Sequence, residues 1–238
     1  MISIIIPIYN GKKTIKKTLR SILNQSYKNY EVIAVNDGSS DNSLEILKSF
    51  SNNFWDRKIR YKIVNQKNQG APSARNNGFS ESRGEYLFFC DADVVLRKNC
   101  LQIMLDTLEK NPNASYVYSS FFWGFKLFRL FAFDKEKLKK MPYIHSTSLI
   151  RKLDFPKCGW DTGIKKLQDW DLWLEFLKRG KVGIFVDKIL FRVITGGTMS
   201  AWFPKIFFKL FWQPIKIKKE IERYNEAMEV IKIKHNLK

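Results

Sequence analysis

Two acidic residues, Asp91 and Asp93, follow an apolar and aromatic run in the segment Tyr86 to Val95, which reads YLFFCDADVV. Such a run predicts a buried strand of a parallel sheet, with both carboxylates at its carboxyl end. In open α/β sheets that end is where ligands bind. Two carboxylates one residue apart suit a divalent cation and the phosphate groups that it carries. The spacing also fits two acids that cap a helix predicted around residues 99–110.

The preceding chain alternates between strand-like and helix-like patterns. Apolar, β-branched runs predict strands, and apolar residues at helical spacing lie between them. The resulting order, β-α-β-α-β-α-β, predicts a mainly parallel, doubly wound sheet with helices on both faces. Polar residues end three of the four strands, namely Tyr9 with Asn10, Asp37, and Asp91 with Asp93. Because parallel strands share one carboxyl edge, these residues should meet in one cleft.

Later segments are less regular. We predict strands over Ala114 to Ser120, Tyr143 to Ile150 and Val182 to Val186, and a helix over Gln168 to Arg179. The aromatic stretch from Phe121 to Phe133 fits no element pattern. There is no G-x-G-x-x-G after the first strand and no P-loop, which argues against a dinucleotide dehydrogenase or an NTPase.

Five motifs in order, IIIPIYN, VNDGSSDNS, NQGAPSARNNG, YLFFCDADV and LQDWDLWLEFLKRG, resemble those of family 2 inverting glycosyltransferases of the GT-A fold, as found in bacterial surface-polysaccharide synthesis. The resemblance covers about residues 1 to 200. It implies a GT-A domain over 1–200, with a nucleotide-binding half at 1–95 and an acceptor-side half at 96–200. Residues 201–238 would form a basic, aromatic, amphipathic tail.

The resemblance also implies roles for individual residues. Pro7 and Tyr9 would contact the nucleotide base, Asp37 would read that base, and Arg75 would lie near the nucleotide. Asp91 would face the ribose and the metal, and Asp93 would ligate Mn²⁺ or Mg²⁺. Asp169 would be the catalytic base.

The implied reaction transfers a sugar from a nucleotide sugar, by default a UDP-sugar, to a hydroxyl of a glycan or lipid-linked acceptor. A neutral hydroxyl needs a carboxylate base to take its proton, and a metal ion offsets charge on the departing diphosphate. One displacement inverts the anomeric centre, so the base and the metal should lie on opposite sides of the sugar.

Some assignments stay open at this point. Asp171 is an alternative base, with Asp169 as a helix cap. Trp170 and Trp173 fit the core or an acceptor wall, His145 fits a structural or acceptor-side role, and Arg192 could approach the diphosphate. Two departures concern Gln168, where the family usually has glutamate, and Ile194 with Thr195, where it often has a metal-binding histidine.

The composition of the chain indicates which partners and which cellular compartment to expect. The chain has 238 residues and a formal net charge of +19, which favours an anionic partner. Scattered basic residues without a binding motif argue against nucleic acid. Three cysteines form neither a disulfide framework nor a zinc pattern, which suggests a reducing, cytoplasmic compartment. No signal peptide and no membrane-spanning run are apparent.

The tail suggests a peripheral membrane enzyme on the inner face of the cell membrane. Trp202 to Lys219 mixes aromatic residues with lysines, a composition typical of a helix that lies in an anionic membrane surface. Apolar residues from Ile217 to Ile231 recur at helical spacing and predict a second amphipathic helix. Both stretches could instead pack on the catalytic domain.

Overall fold

The computed structural model describes residues 1–194 and 215–237. Its first part is the predicted alternation of strands and helices. The elements are β1 (Ile2–Ile8), α1 (Ile15–Leu23), β2 (Tyr30–Asp37), α2 (Ser43–Ser49), α3 (Ser51–Trp55), β3 (Tyr61–Gln66), α4 (Ala71–Ser80) and β4 (Tyr86–Phe89). Every residue of β1 and β2 is buried, so both faces of these strands are covered, and this explains their largely apolar sequences.

The second part is more mixed. Its elements are β5 (Val94–Leu96), α5 (Cys100–Glu109), β6 (Tyr116–Trp123), β7 (Lys126–Phe128), α6 (Lys135–Lys140), β8 (Leu149–Arg151), a 3₁₀ turn (Lys152–Asp154), α7 (Gln168–Lys178), β9 (Gly183–Val193) and α8 (Ile215–Lys234). The strand predicted over Tyr143 to Ile150 is wrong for most of its length, because only its last two residues lie in β8. The unassigned aromatic stretch begins in β6 and turns back through β7.

In the described part of the chain the strands form one nine-stranded sheet, ordered β3-β2-β1-β4-β8-β6-β9-β5, with β7 on β6. The pairs β1–β2, β2–β3, β1–β4 and β6–β9 are parallel, as the sequence led us to expect for the first half. The pairs β4–β8, β6–β8, β5–β9 and β6–β7 are antiparallel. The sheet is therefore parallel where the cleft was predicted and mixed beyond β4.

Helix α4 lies directly against the sheet because Gly78 has no side chain. A Cβ at Gly78 would lie 2.4 Å from Cγ2 of Ile5 in β1, closer than real contacts allow. Glycine at this position therefore lets the helix backbone approach the strand. The approach brings Arg75, one turn earlier on α4, to the end of β4.

The predicted second amphipathic helix is present as α8. Its Ile231 is fully buried in the main core cluster, and Met228 packs against the same cluster. The predicted membrane-surface segment and the departure at Thr195 lie outside the described residues, apart from 215–219 at the start of α8. No helix within 1–194 and 215–237 is long and apolar enough to cross a membrane. The division at residue 200 stays a prediction.

Candidate functional site

A cleft of about 240 Å³ lies at the carboxyl edge shared by β1, β2 and β4. Five residues that the sequence singled out line it, which are Pro7, Tyr9, Asp37, Asp91 and Asp93. The other two, Arg75 and Asp169, are not part of this lining and lie on α4 and α7. The strand ends thus converge as expected, and the remaining question is how the two helices reach them.

The loop that forms the rim of the cleft is held by the serines of VNDGSSDNS. Asn10 adopts a left-handed backbone with φ of 49°. Its N–H donates to Oγ of Ser39 at 3.0 Å, and its Oδ1 accepts from the N–H of Ser40 at 2.9 Å. The N–H of Gly11 donates to Oγ of Ser43 at 2.8 Å. The sequence suggested only turns and helix caps here, whereas these residues tie the β1 and β2 loops together.

Asp37 is 2% exposed and holds the loop that follows β3. Its Oδ1 accepts from the N–H of Gln69 and from Nε2 of Gln66, both at 2.8 Å. Its Oδ2 accepts from the N–H of Gly70 at 2.9 Å. A carboxylate has about four acceptor positions, so one remains for a ligand. The expected base-reading role stays a prediction that rests on that position.

Asp91 and Asp93 differ in their surroundings. Oδ1 of Asp91 accepts from Nη2 of Arg75 at 2.7 Å, and Oδ2 accepts from Oγ of Ser146 at 3.2 Å. Burial acts to raise the pKa of Asp91, but the charge of Arg75 and these hydrogen bonds outweigh it and lower the pKa. Burial, together with the negative charge of Asp91, raises the pKa of Asp93 to about 7.

This difference suits a cation-binding pair, since a bound cation would relieve the repulsion that Asp93 experiences. Within the described residues no three His, Cys, Asp or Glu side chains cluster into a complete metal site. Two carboxylates fit an ion that takes its other ligands from diphosphate and water. The helix-cap alternative is wrong, because β5 separates both acids from α5, whose N-cap is Asn99.

One buried guanidinium joins the strand end to the helix that carries the candidate base. Arg75 is 2% exposed, and its Nη1 donates to Oε1 of Gln168 at 2.8 Å while its Nη2 binds Asp91. The guanidinium also lies 4.5 Å from the ring centroid of Trp160. Gln168, where the resemblance implies a glutamate, therefore still accepts a hydrogen bond, although it brings no charge. Sequence reasoning placed Arg75 near the nucleotide and missed this link.

Asp169 is the second residue of α7, which begins at Gln168, directly after Leu167, whose φ is 58°. Its Oδ1 accepts from the N–H of Trp170 at 2.9 Å. Burial raises the pKa of Asp169, although His145 and Arg75 act in the opposite direction. A carboxyl group with a raised pKa is a stronger proton acceptor once it is ionised, as a general base must be.

Asp171 has a different environment. Its side chain is 6% exposed, and its Oδ1 lies 2.8 Å from Nζ of Lys234 and 2.8 Å from Nε2 of His235, both at the end of α8. The carboxylate is thus occupied by two basic side chains of the same protein. This arrangement favours Asp169 over Asp171 as the residue available to a substrate.

His145 lies between Phe121 and Phe191, with ring centroids 5.1 and 5.3 Å away. Its Nδ1 accepts from the N–H of Thr147 at 3.0 Å, so a neutral ring carries its proton on Nε2. Burial lowers the pKa of His145 despite the nearby charges of Asp91 and Asp169. His145 therefore has a structural role, packed between two aromatic rings and close to both Asp91 and Asp169.

The structure also shows the surroundings of the remaining residues that the sequence singled out. Trp170 and Trp173 are fully buried, and their indole N–H groups donate to backbone carbonyls, so they belong to the core. Arg192 donates to the carbonyl of Gly124 at 2.8 Å, away from the cleft lining. Sequence reasoning missed Ser146, because it lies in the irregular segment that was predicted to be a strand.

Comparison with known proteins decides the family. Residues 3–160 match the sequence model described as glycosyl transferase family 2. The chain belongs to this family. An uncharacterized glycosyltransferase of Rickettsia typhi is 32% identical over 201 residues, which are 76% of this chain and 60% of that relative. The putative glycosyltransferase EpsE of Bacillus subtilis is 28% identical over 202 residues, covering 81% and 72% of the two chains.

Solved structures identify the fold of this family 2 chain as GT-A. Residues 1–349 of Staphylococcus aureus TarS, in complex with UDP-GlcNAc, align with a TM-score of 0.70 and 19% identity, covering 85% of this chain and 61% of that one. The mannosyltransferase PcManGT of Pyrobaculum calidifontis, in complex with GDP-Man and Mn²⁺, aligns with a TM-score of 0.65 and 19% identity, covering 81% and 56%. The chain thus spans about 60% of the length of several of these proteins.

Proposed function

We propose that this protein is an inverting glycosyltransferase that moves a hexosyl group from a nucleotide sugar to a hydroxyl acceptor. TarS was solved with UDP and with UDP-GlcNAc, and PcManGT with GDP-Man. Family membership, together with these complexes, supports a nucleotide-sugar donor, and we take a UDP-sugar as the first candidate. The nucleotide would occupy the cleft lined by Pro7, Tyr9 and Asp37.

The observation that carries the proposal is the double contact of Arg75. The same side chain binds Asp91 at 2.7 Å and Gln168 at 2.8 Å. Gln168 immediately precedes Asp169, and these contacts support the proposal that Asp91, Asp93 and the candidate base act in one site although they are far apart in sequence. An enzyme that activates a hydroxyl on one side of a sugar and releases a diphosphate on the other needs this kind of arrangement.

In the proposed reaction Asp169 accepts the proton of the acceptor hydroxyl while the oxygen of that hydroxyl bonds to the anomeric carbon. The bond from that carbon to the diphosphate oxygen breaks in the same step, and the anomeric centre inverts. Asp91 and Asp93 would hold Mn²⁺ or Mg²⁺, which would offset the negative charge on the leaving diphosphate. Arg75 keeps Asp91 ionised and oriented for that task.

We further propose that the acceptor is a glycan or lipid-linked intermediate of polysaccharide synthesis, and that the enzyme works on the cytoplasmic face of the membrane. The net charge of +19 and the basic, aromatic composition of Trp202 to Lys219 support an anionic membrane surface as partner. Lysines next to aromatic residues are typical of segments that lie at headgroup depth.

A thermal-shift screen tests the donor and metal assignments together. A ligand that binds the folded state raises the melting temperature. We expect UDP with Mn²⁺ to raise it more than UDP alone, Mn²⁺ alone or AMP with Mn²⁺. GDP tests the alternative nucleotide in the same plate. If neither UDP nor GDP raises the melting temperature with Mn²⁺ or with Mg²⁺, the proposed function is wrong.

A further inference from the structure

The buried guanidinium of Arg75 has a third partner, the ring of Trp160, besides its two hydrogen bonds. Cζ of Arg75 lies 4.5 Å from the centroid of this ring, and both residues are only 2% exposed. The attraction between a cation and an aromatic face is stronger where water is excluded. The two Nη atoms of Arg75 meanwhile donate to Gln168 and Asp91. The ring thus contacts the group that connects the strand end to α7.

The loop that carries Trp160 is fixed to α4 beside Arg75. The N–H of Trp160 donates to Oδ1 of Asn76 at 2.7 Å, and Nδ2 of Asn76 donates to the carbonyl of Trp160 at 2.8 Å. Gly159 has a left-handed backbone with φ of 71°, and a Cβ there would lie 2.3 Å from Oδ1 of Asn76. Glycine therefore lets the loop approach Asn76, whose neighbour in the chain is Arg75.

Trp160 contributes its ring and not its N–H group. Its Nε1 is buried and has no hydrogen-bond partner among the described residues. The ring packs edge-on against Phe89 of β4, with centroids 5.1 Å apart and an interplanar angle of 84°. Trp160 is not part of the cleft lining. Its influence on a ligand in the cleft must therefore pass through its neighbours, and Arg75 is the neighbour that binds Asp91.

We propose that Trp160 is a positioning residue, which holds the guanidinium of Arg75 where its two Nη atoms meet Asp91 and Gln168 at the same time. The inference rests on the proposed function. Without the ring, the guanidinium can move away from one of its partners, and Asp91 then loses the contact that orients it. Groups that orient a metal-binding carboxylate typically change metal affinity or activity about 10- to 100-fold when they are removed.

The first test is calorimetric titration of the full-length protein with UDP, in Mn²⁺ and in EDTA. The ratio of the two affinities gives the effect of the metal. Trp160→Leu should lower this ratio about tenfold. Trp160→Phe should keep most of it, because a phenyl face also attracts a cation and the lost N–H has no partner. An undiminished ratio in Trp160→Leu, or equal losses in the two variants, would overturn the proposal.

Phe155→Leu is the matched control. The ring of Phe155 is 3% exposed and packs on the same Phe89 ring as Trp160, with centroids 5.4 Å apart. Within the described part of the chain it makes no cation–π contact with Arg75. Phe155→Leu should lower the melting temperature, as Trp160→Leu does, and leave the effect of Mn²⁺ on UDP affinity unchanged. An equal loss of that effect in the control would assign it to general loosening of the core and overturn the positioning role.

The second test needs neither UDP nor turnover. In protein labelled with ¹⁵N-arginine, the guanidinium signals that disappear in Arg75→Lys identify Arg75. Different partners at Nη1 and Nη2 should keep their signals separate in the wild type and in Trp160→Phe. Trp160→Leu should speed rotation of the group and merge them, and so should Asn76→Ala, which removes both hydrogen bonds to the Trp160 backbone. The second variant serves if the first does not fold.

Separate signals in every folded variant would overturn the positioning role, whatever the affinity for UDP is. Merged signals in Trp160→Leu or Asn76→Ala, in a protein whose wild type fails to bind UDP with Mn²⁺, would instead overturn the proposed function alone.

Discussion

At the scale of residues, the site depends on carboxylates of the same type in different surroundings. Asp171 is held by Lys234 and His235, whereas Asp169 accepts a hydrogen bond from the backbone N–H of Trp170. Burial raises the pKa of Asp169. Only the ionised form can accept a proton, so activity should decline as pH falls through this raised pKa. The decline should therefore occur at a higher pH than it would for an ordinary aspartate.

Asp169→Asn should lower turnover by about 10²- to 10⁴-fold, because a general base is lost. The affinity for UDP in Mn²⁺ should stay close to that of the wild type, since Asp169 does not line the nucleotide cleft. The measurements are steady-state kinetics with a UDP-sugar and titration calorimetry with UDP.

Asp171→Asn is the matched comparison. It leaves the buried His235 without its carboxylate partner and Lys234 with Asp161 alone, so it should lower the melting temperature more than Asp169→Asn does. A large loss of turnover in Asp171→Asn at an unchanged melting temperature would contradict this assignment of the two residues.

Asp93→Ala should remove the part of the UDP affinity that depends on Mn²⁺. The variant loses one of two carboxylates available to the cation, and the remaining one, Asp91, is already bound to Arg75. Calorimetric titration with UDP, with Mn²⁺ and with EDTA, gives the metal-dependent difference. Asp187→Ala removes an exposed acid on β9 and serves as the control. An undiminished effect of Mn²⁺ in Asp93→Ala would reject the proposed metal site.

The chemistry of the site could be predicted from sequence where a residue's type and its neighbours define its role. Asp91, Asp93 and Asp37 follow strands, and the structure brings them to one cleft. The contacts of Arg75 with Gln168 and of Ser146 with Asp91 could not be predicted, because the partners are separated by 93 and 55 positions and nothing local indicates the pairing. Such contacts follow only from the packing of whole elements.

At the scale of elements, strands that are buried on both faces could be predicted from the sequence, whereas a buried segment with an irregular backbone could not. Strands β1 and β2 are buried on both faces and have continuous apolar sequences, so they were found readily. The segment from Tyr143 to Ser148 is also mostly buried, but its backbone is irregular and meets α7 directly, with the carbonyl of Ile144 accepting from the indole N–H of Trp173. Burial without regular pairing looks like a strand in the sequence, which explains the error.

The opposite edge of the sheet, away from the cleft, is held by Glu31 on β2. Its side chain is 1% exposed and accepts from Oγ of Ser3 and from the N–H of Arg83, both at 2.6 Å, and from Arg60. Burial alone would raise the pKa of Glu31, but these partners together lower it. The ionised form is therefore stabilised by folding.

Glu31→Gln should reduce the free energy of unfolding by about 3 kcal/mol at neutral pH, because Arg60 loses its charged partner in a buried network. The contribution of Glu31 is present above its unfolded pKa of about 4.3 and is lost as pH falls through the lower folded pKa. The difference between the proteins should thus shrink in acid. Urea unfolding at several pH values measures it, with exposed Glu45→Gln as control. A constant difference across that range would contradict the role of the charge.

At the scale of the whole molecule, the C-terminal part of the chain and the catalytic domain are not independent. Helix α8 contributes Ile231 to the core and two basic side chains to Asp171. A truncation after Ser200 would remove these contacts together with the candidate membrane segment. Any loss of membrane binding in such a truncation would therefore have two explanations, and point substitutions in the full chain separate them.

The last prediction is that the full chain binds anionic membranes through Trp202 to Lys219. Aromatic side chains enter the interface while lysines are attracted to anionic headgroups, and each basic residue near the surface contributes about 1 kcal/mol. In flotation assays the wild type should rise with phosphatidylglycerol vesicles at low salt and much less with neutral vesicles. Replacing Trp202, Phe208 and Trp212 by serine should abolish flotation without lowering the melting temperature. Trp55→Ser is the matched control, because Trp55 is 82% exposed on the catalytic domain. Equal flotation of the triple variant and the wild type would show that these aromatic residues do not mediate binding, and a wild type that stays in the soluble fraction would reject the membrane partner itself.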